Sequence, residues 1–262
     1  MEINYPHYMP GHSSFVELMR GATRAIQIGA AVKPGEKVVI STDTNKIRIA
    51  EALAAATVAA GGEPIIVIIT PPGAHGAQPP DPVVAACSKA DVFFMPTSFS
   101  QTHTNARIEA IKNGARGTTM CDITEDVLCA GAVMGDFEAC DQLGRKLGAV
   151  LAETTKMRIR TKAGTDIRGI VKDRPVQYET GLFRNPGDFA AFPNSEINIS
   201  PVEGSAEGVI VADVRIMSVG VTRSAPVTIK VKDGLIQGME GGAMSDDFTH
   251  ILATFNDETA YN

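Results

Sequence analysis

"KVVISTDTNKIRIAEALAAATVAAGGEPIIVIIT", residues 37–70, decides the fold class of this chain. It opens on a short apolar run at 37–41, long enough for one buried strand. Alanine, isoleucine and leucine then recur at helical spacing over 46–60, and Gly61-Gly62 halts the helix. Asn45 stands where a side-chain oxygen can cap the first turn. The closing run, 64–70, is apolar on both faces, the pattern of a parallel strand covered by helices. Strand, helix and strand in so short a span make a βαβ unit, because the helix carries the chain back for parallel pairing.

The same rhythm extends outward in both directions. Residues 14–32 are apolar at helical spacing, and Ser14 with Glu17 predicts a capping box. A third strand is expected at 90–98, a helix at 104–115, a weak fourth strand at 116–120 and an amphipathic helix over 135–154. Alternating strands and helices predict an α/β fold: a doubly wound parallel α/β domain over residues 1–153. Near Lys156 the period drops to two, and "KMRIRTKAGTDIRGIVKDR" (156–174) turns back on itself at Ala163-Gly164-Thr165. Further strands are expected at 195–200, 207–214, 225–232 and 234–240. Residues 154–262 therefore read as a second, mostly antiparallel β (α+β) domain.

Composition removes several function classes. With 44% apolar and 21% charged residues, the 262-residue chain has the make-up of an ordinary globular protein. Its net charge of −6 and scattered Lys and Arg argue against nucleic acid as a partner. No apolar run reaches membrane-span length and the N-terminus lacks a signal pattern, so no membrane partner and a cytoplasmic location are expected. Cys87, Cys121, Cys129 and Cys140 form no CxxC pair and read as reduced, mostly buried thiols.

The expected strand ends carry the polar groups: "STDTN" (41–45), "TPPGAHGAQPP" (70–80) and "TSFSQTHTN" (97–105). Ligands of open α/β sheets bind beyond such ends. No GxGxxG or GxxxxGK[ST] loop is present, which disfavours a nucleotide. Asp43, Asn45, Thr102 and Asn105 can line a pocket or simply satisfy helix N-termini. His75 borders a site or decorates a surface loop, and His103 contacts substrate or caps a helix. His7 and His12 lie in an arm suited to crossing a neighbour, and His250 falls in the last expected helix. No HExxH or HxH motif occurs, so the histidines build no metal site locally. Glu196 differs from these. It stands in "AFPNSEINISPVEGSAEG" (191–208) among Pro193, Ile197, Ile199 and Val202, as if on an interior strand. A buried carboxylate needs a partner, and a metal ion or an Arg or Lys would each serve.

Three segments carry a family resemblance: "RTKAGTD" (160–166), "ETGLFRNPGDFAAFPNSEINISPVEGSAEGVIVAD" (179–213) and "VKDGLIQGMEGG" (231–242). They resemble the M29 metal-dependent aminopeptidases of the aminopeptidase T, or leucyl aminopeptidase, type. The resemblance implies a metalloprotease, a hydrolase that releases N-terminal residues from peptides through a water activated by two divalent ions, zinc or cobalt. It implies Glu196 as one metal ligand and a homodimer as the assembly. That family would continue past Asn262 into an "AELGIG"-type segment and downstream histidines. The second domain is accordingly expected to be incomplete and the 262-residue chain to have little peptidase activity. The ring-cleaving 2,5-dihydroxypyridine dioxygenases are also similar, sharing "KAGTD" and "SAEG", and would imply one Fe(II) instead. A non-catalytic binding module is the third reading.

Overall fold

The computed structural model describes residues 14–216, 219–223 and 225–261. The N-terminal arm at 3–12, with His7 and His12, lies outside the described residues. Helix α1 (Phe15–Arg24) leads into one turn of π-helix. Then come β1 (Lys37–Asp43), α2 (Ile47–Ala59), β2 (Glu63–Ile69), α3 (Asp81–Cys87), β3 (Val92–Met95), α4 (Asn105–Lys112) and β4 (Arg116–Thr119). Two more helices follow, α5 (Glu125–Cys129) and α6 (Phe137–Ala152). The rest is mainly β: β5 (Lys156–Arg160), β6 (Asp166–Ile170), β7 (Gln177–Glu179), β8 (Phe189–Ala191) and β9 (Glu196–Asn198). It closes with β10 (Glu207–Ala212), β11 (Arg215–Ile216), β12 (Gly220–Val221), β13 (Val227–Lys232), β14 (Leu235–Glu240) and α7 (Ala243–Thr254).

The chain divides into two units, each discontinuous. The first holds Met1–Arg145 and Tyr178–Ile197, the second Lys146–Gln177 and Asn198–Asn262. In place of one boundary near residue 153, the chain leaves the first unit, returns to it, and leaves again. The return adds β8, a three-residue strand without enough apolar length to be read from sequence.

In the first unit five strands run parallel in the order β2-β1-β3-β4-β8. The order reverses at β1, which has β2 on one side and β3 on the other. Helices cover both faces, and the two resulting cores are filled by Leu18, Ile26, Ile40, Leu53 and Phe94 on one side and Val83, Phe93 and Met95 on the other. The expected capping box is present: Ser14 N–H donates to Glu17 Oε2 at 2.9 Å, and Glu17 N–H to Ser14 Oγ at 3.3 Å. Gly21 lets α1 approach α5, since a Cβ there would sit 2.0 Å from the Leu128 carbonyl oxygen. One expectation changes: β2 is an edge strand, with Ile65 47% and Ile68 49% exposed. Its two-sided apolar pattern reads like a central strand because composition carries no information about position in the sheet.

The second unit is an antiparallel sheet in the order β14-β13-β10-β6-β5. The segment "RTKAGTD" is the turn of the β5–β6 hairpin, and "EGSAEG" leads into β10. Gly208 of β10 holds φ +136, and a Cβ there would meet the Asp166 carbonyl at 2.1 Å. Val227, Ile229 and Ile216 form its core, with Ile210, Ile236 and Phe248 packed against them. Among the described residues no helix is long and apolar enough to cross a membrane.

Candidate functional site

Parallel strands place all their carboxyl ends on one edge, so the loops after β1, β3, β4 and β8 share a rim in the first unit. The rim is tied together where the strand order reverses. Asp43, fully buried at the end of β1, accepts the Ser98 backbone N–H on Oδ2 at 2.5 Å and the Ser98 hydroxyl on Oδ1 at 3.1 Å. The Asn45 N–H adds a third donor to Oδ1 at 3.0 Å. Asn45 does not cap α2: its amide donates to Ser98 Oγ at 3.1 Å, and Lys46 occupies the cap position. Beside this clamp, Thr42 Oγ1 donates to the Pro96 carbonyl at 2.8 Å.

A line of hydroxyls continues along the rim. Ser100 Oγ bonds Thr102 Oγ1 at 2.9 Å, and Thr102 Oγ1 bonds Thr119 Oγ1 at 2.9 Å. Arg107 Nε donates to the Thr102 carbonyl at 2.7 Å, while its guanidinium lies 4.9 Å from the centre of the Phe189 ring. Asn105 opens α4 and donates its backbone N–H to Gln78 Oε1 at 2.8 Å, tying α4 to the 70–80 loop. That loop presents His75, whose Nδ1 accepts the Ser100 N–H at 3.0 Å and whose ring meets Phe99 edge-on. His103 is exposed in the loop before α4.

On the other side of β3, a cleft of about 320 Å³ separates the start of α2 from the β4–α5 loop. Two ion pairs cross it, Arg48 to Glu125 at 2.8 Å and Lys46 to Asp122 at 3.7 Å. The four cysteines are all free, and Cys87 is fully buried, with its thiol pushed up to about 12 by burial.

Glu196 is exposed on β9 rather than held on an interior strand. Asn194 Nδ2 lies 3.4 Å from its Oε2 and 3.3 Å from Glu179 Oε2, so one amide serves two carboxylates. Glu179 also accepts the Ala191 N–H at 3.2 Å, which pins the end of β8. Sequence reasoning missed Glu179 and Thr119. Neither has a local signal, because their partners come from other strands. Among the described residues no three His, Cys, Asp or Glu side chains are grouped to hold a metal ion. His250 lies in α7 of the second unit. That unit has a roomier groove, about 510 Å³, but Ile210, Ile229, Ile236 and Phe248 wall it. Two of the charged residues lining that groove, Arg174 and Glu203, are paired with each other at 3.0 Å.

Comparison with known proteins decides between the family readings. The family model described as NicX, 2,5-dihydroxypyridine 5,6-dioxygenase, matches residues 19–262. A curated 2,5-dihydroxypyridine 5,6-dioxygenase of Pseudomonas putida is 28% identical over 114 residues, which are 43% of this chain and 33% of that protein. The match therefore spans about a third of the curated relative's length. The solved structure of the Pseudomonas putida dioxygenase superposes with a TM-score of 0.78 at 20% identity, covering 96% of this chain and 75% of that one. Wild-type AmpT from Thermus thermophilus superposes less well, with a TM-score of 0.65 at 14% identity, covering 95% and 77%. Both likenesses concern the fold alone.

These matches overturn the M29 aminopeptidase reading, and with it the hydrolase activity. Two zinc or cobalt ions have no support left. The reason is structural: "KAGTD" and "EGSAEG" are turns of an antiparallel sheet, so they report a scaffold and not a reaction. From residue 19 to residue 262, this chain belongs to the NicX family, described as 2,5-dihydroxypyridine 5,6-dioxygenase.

Proposed function

We propose that this chain binds a dihydroxylated pyridine and serves its oxygen-dependent ring opening, the reaction in the family's description. The observation that carries the reading is the family match over residues 19–262. The rim agrees with it. Ser98, Ser100, Thr102 and His75, half-buried or exposed on the rim, offer hydrogen bonds without net charge, which suits a flat hydroxylated ring better than a phosphate. The Asp43 clamp holds two rim loops at fixed separation, so these groups need little reordering when a ligand arrives.

Ring-opening of this kind implies iron, Fe(II). The described residues do not fit it: no group of three ligands is present among them. What this chain's own residues do is bind and orient the ring.

The test pairs two assays on the purified protein, equilibrium binding of 2,5-dihydroxypyridine and oxygen uptake with added ferrous iron. Saturable one-to-one binding of the dihydroxypyridine, with leucyl arylamide neither bound nor cleaved, supports the reading. Arylamide cleavage without oxygen uptake contradicts it.

A further inference from the structure

His75 is held more firmly than an exposed loop residue needs to be. Its Nδ1 accepts the Ser100 N–H at 3.0 Å, and the Ser100 carbonyl accepts the Gly76 N–H at 2.9 Å, so the two loops are tied in both directions. The Phe99 ring stands edge-on to the imidazole, with centroids 5.3 Å apart, and limits its rotation. A nitrogen that accepts a backbone N–H carries no proton of its own, so the neutral ring keeps its hydrogen on Nε2. Cys121 Sγ, 3.9 Å from Nδ1, is consistent with that tautomer. Burial first, and Asp122 second, raise the Cys121 thiol, so it stays protonated and does not draw a hydrogen onto Nδ1.

The remaining edge of the ring is a donor with a fixed direction. Nε2–H points away from the Ser100 backbone, and the ring is exposed at the carboxyl edge of the sheet. Of the two oxygens on a 2,5-dihydroxypyridine, the one at position 2 is largely carbonyl-like in water, because the ring favours its lactam form. That oxygen only accepts, whereas the 5-hydroxyl both donates and accepts. A group that only donates pairs best with a group that only accepts.

We infer that His75 is a specificity-determining residue whose Nε2–H donates to the lactam oxygen of the heteroaromatic substrate. The inference rests on the dihydroxypyridine reading and adds the donor, the acceptor and the preferred tautomer. Asp43, Ser98 and the hydroxyl line set the rim, and His75 selects the ring that enters it.

The substitution His75→Asn separates holding the loop from holding the ligand. Asparagine Oδ1 replaces Nδ1 as acceptor for the Ser100 N–H, and its shorter Nδ2 amide does not reach the position of Nε2–H. Anaerobic titration without added metal is expected to show 2,5-dihydroxypyridine bound about tenfold more weakly by the variant, the loss of one good hydrogen bond. 3-Hydroxypyridine, which lacks the lactam oxygen, is expected to bind both proteins alike. His75→Gln, with an amide donor near the Nε2 position, is expected to recover part of the affinity. Equal binding of 2,5-dihydroxypyridine by wild type and His75→Asn overturns the inference. So does an equal loss for both ligands, which would mark His75 as merely structural. If the wild type binds no dihydroxypyridine at all, the functional reading falls and takes this inference with it.

Discussion

Ser98 donates to Asp43 twice, from its backbone to Oδ2 at 2.5 Å and from its hydroxyl to Oδ1 at 3.1 Å, across 55 residues of sequence. The pair joins the end of β1 to the loop after β3, where the strand order reverses and open α/β sheets bind their ligands. A buried carboxylate with three donors is satisfied, and it also fixes the spacing of two rim loops.

Removing that carboxylate leaves buried donors without an acceptor. Asp43→Ala is expected to lower unfolding stability by about 2–4 kcal/mol, since each orphaned buried group costs a substantial fraction of its desolvation. Urea titration measures the loss, and a change under about 0.5 kcal/mol would show that water replaces the clamp.

The opposite edge of the sheet has an ion pair of its own, buried at Arg116 and partly exposed at Glu36. Arg116, at the start of β4, is bidentate to Glu36 at 2.9 and 2.7 Å and also donates to the Ala30 carbonyl at 3.0 Å. Burial alone would raise the Glu36 carboxyl. The Arg116 hydrogen bonds, the Lys33 N–H and the nearby positive charges outweigh it, and the group lies below its ordinary value. A depressed carboxylate stabilises the fold above its unfolded value, and the contribution is lost as pH falls through the folded value. Stability is therefore expected to decline below about pH 4.5, and Glu36→Gln is expected to flatten that decline. Arg116→Met strands the carboxylate and is expected to cost about 3–5 kcal/mol at neutral pH, as broken buried pairs do. Because the pair is far from the rim, dihydroxypyridine affinity should hold in any folded variant. Denaturant midpoints measured against pH check both parts.

Thiol chemistry offers an independent check on packing. Cys87 is fully exposed to none of the solvent, and burial pushes its thiol up to about 12. Iodoacetamide at neutral pH is expected to leave Cys87 unmodified in the native protein and to label it in urea. Peptide mass mapping reads the result, and native labelling of Cys87 would contradict the close packing between α3 and the sheet.

Much of this architecture is legible in sequence, for reasons that also mark the limits. The run 37–70 declares a βαβ unit because apolar runs, helical spacing and a Gly-Gly stop are all local signals. Asp43 stands out as the polar end of a strand, yet its partner Ser98 lies in another loop, and no spacing rule connects them. The edge position of β2 depends on strand order, which the run 64–70 does not encode. β8 is three residues long and pairs with β4 only because the chain returns to the first unit. Glu196 looks interior from its apolar neighbours, but β9 is short and its side chain is exposed. The chemistry is hardest to read, since the motifs at 160–166 and 203–208 are turns of the antiparallel sheet, and proteins of different names share this fold.

This scaffold is proposed to receive a dihydroxylated pyridine and not a peptide. Calorimetric titration of the purified protein with 2,5-dihydroxypyridine, beside the same titration with leucyl arylamide, tests it most directly. Saturable one-to-one binding of the dihydroxypyridine is expected, with no binding or cleavage of the arylamide. Saturable arylamide binding with no response to the dihydroxypyridine would contradict it.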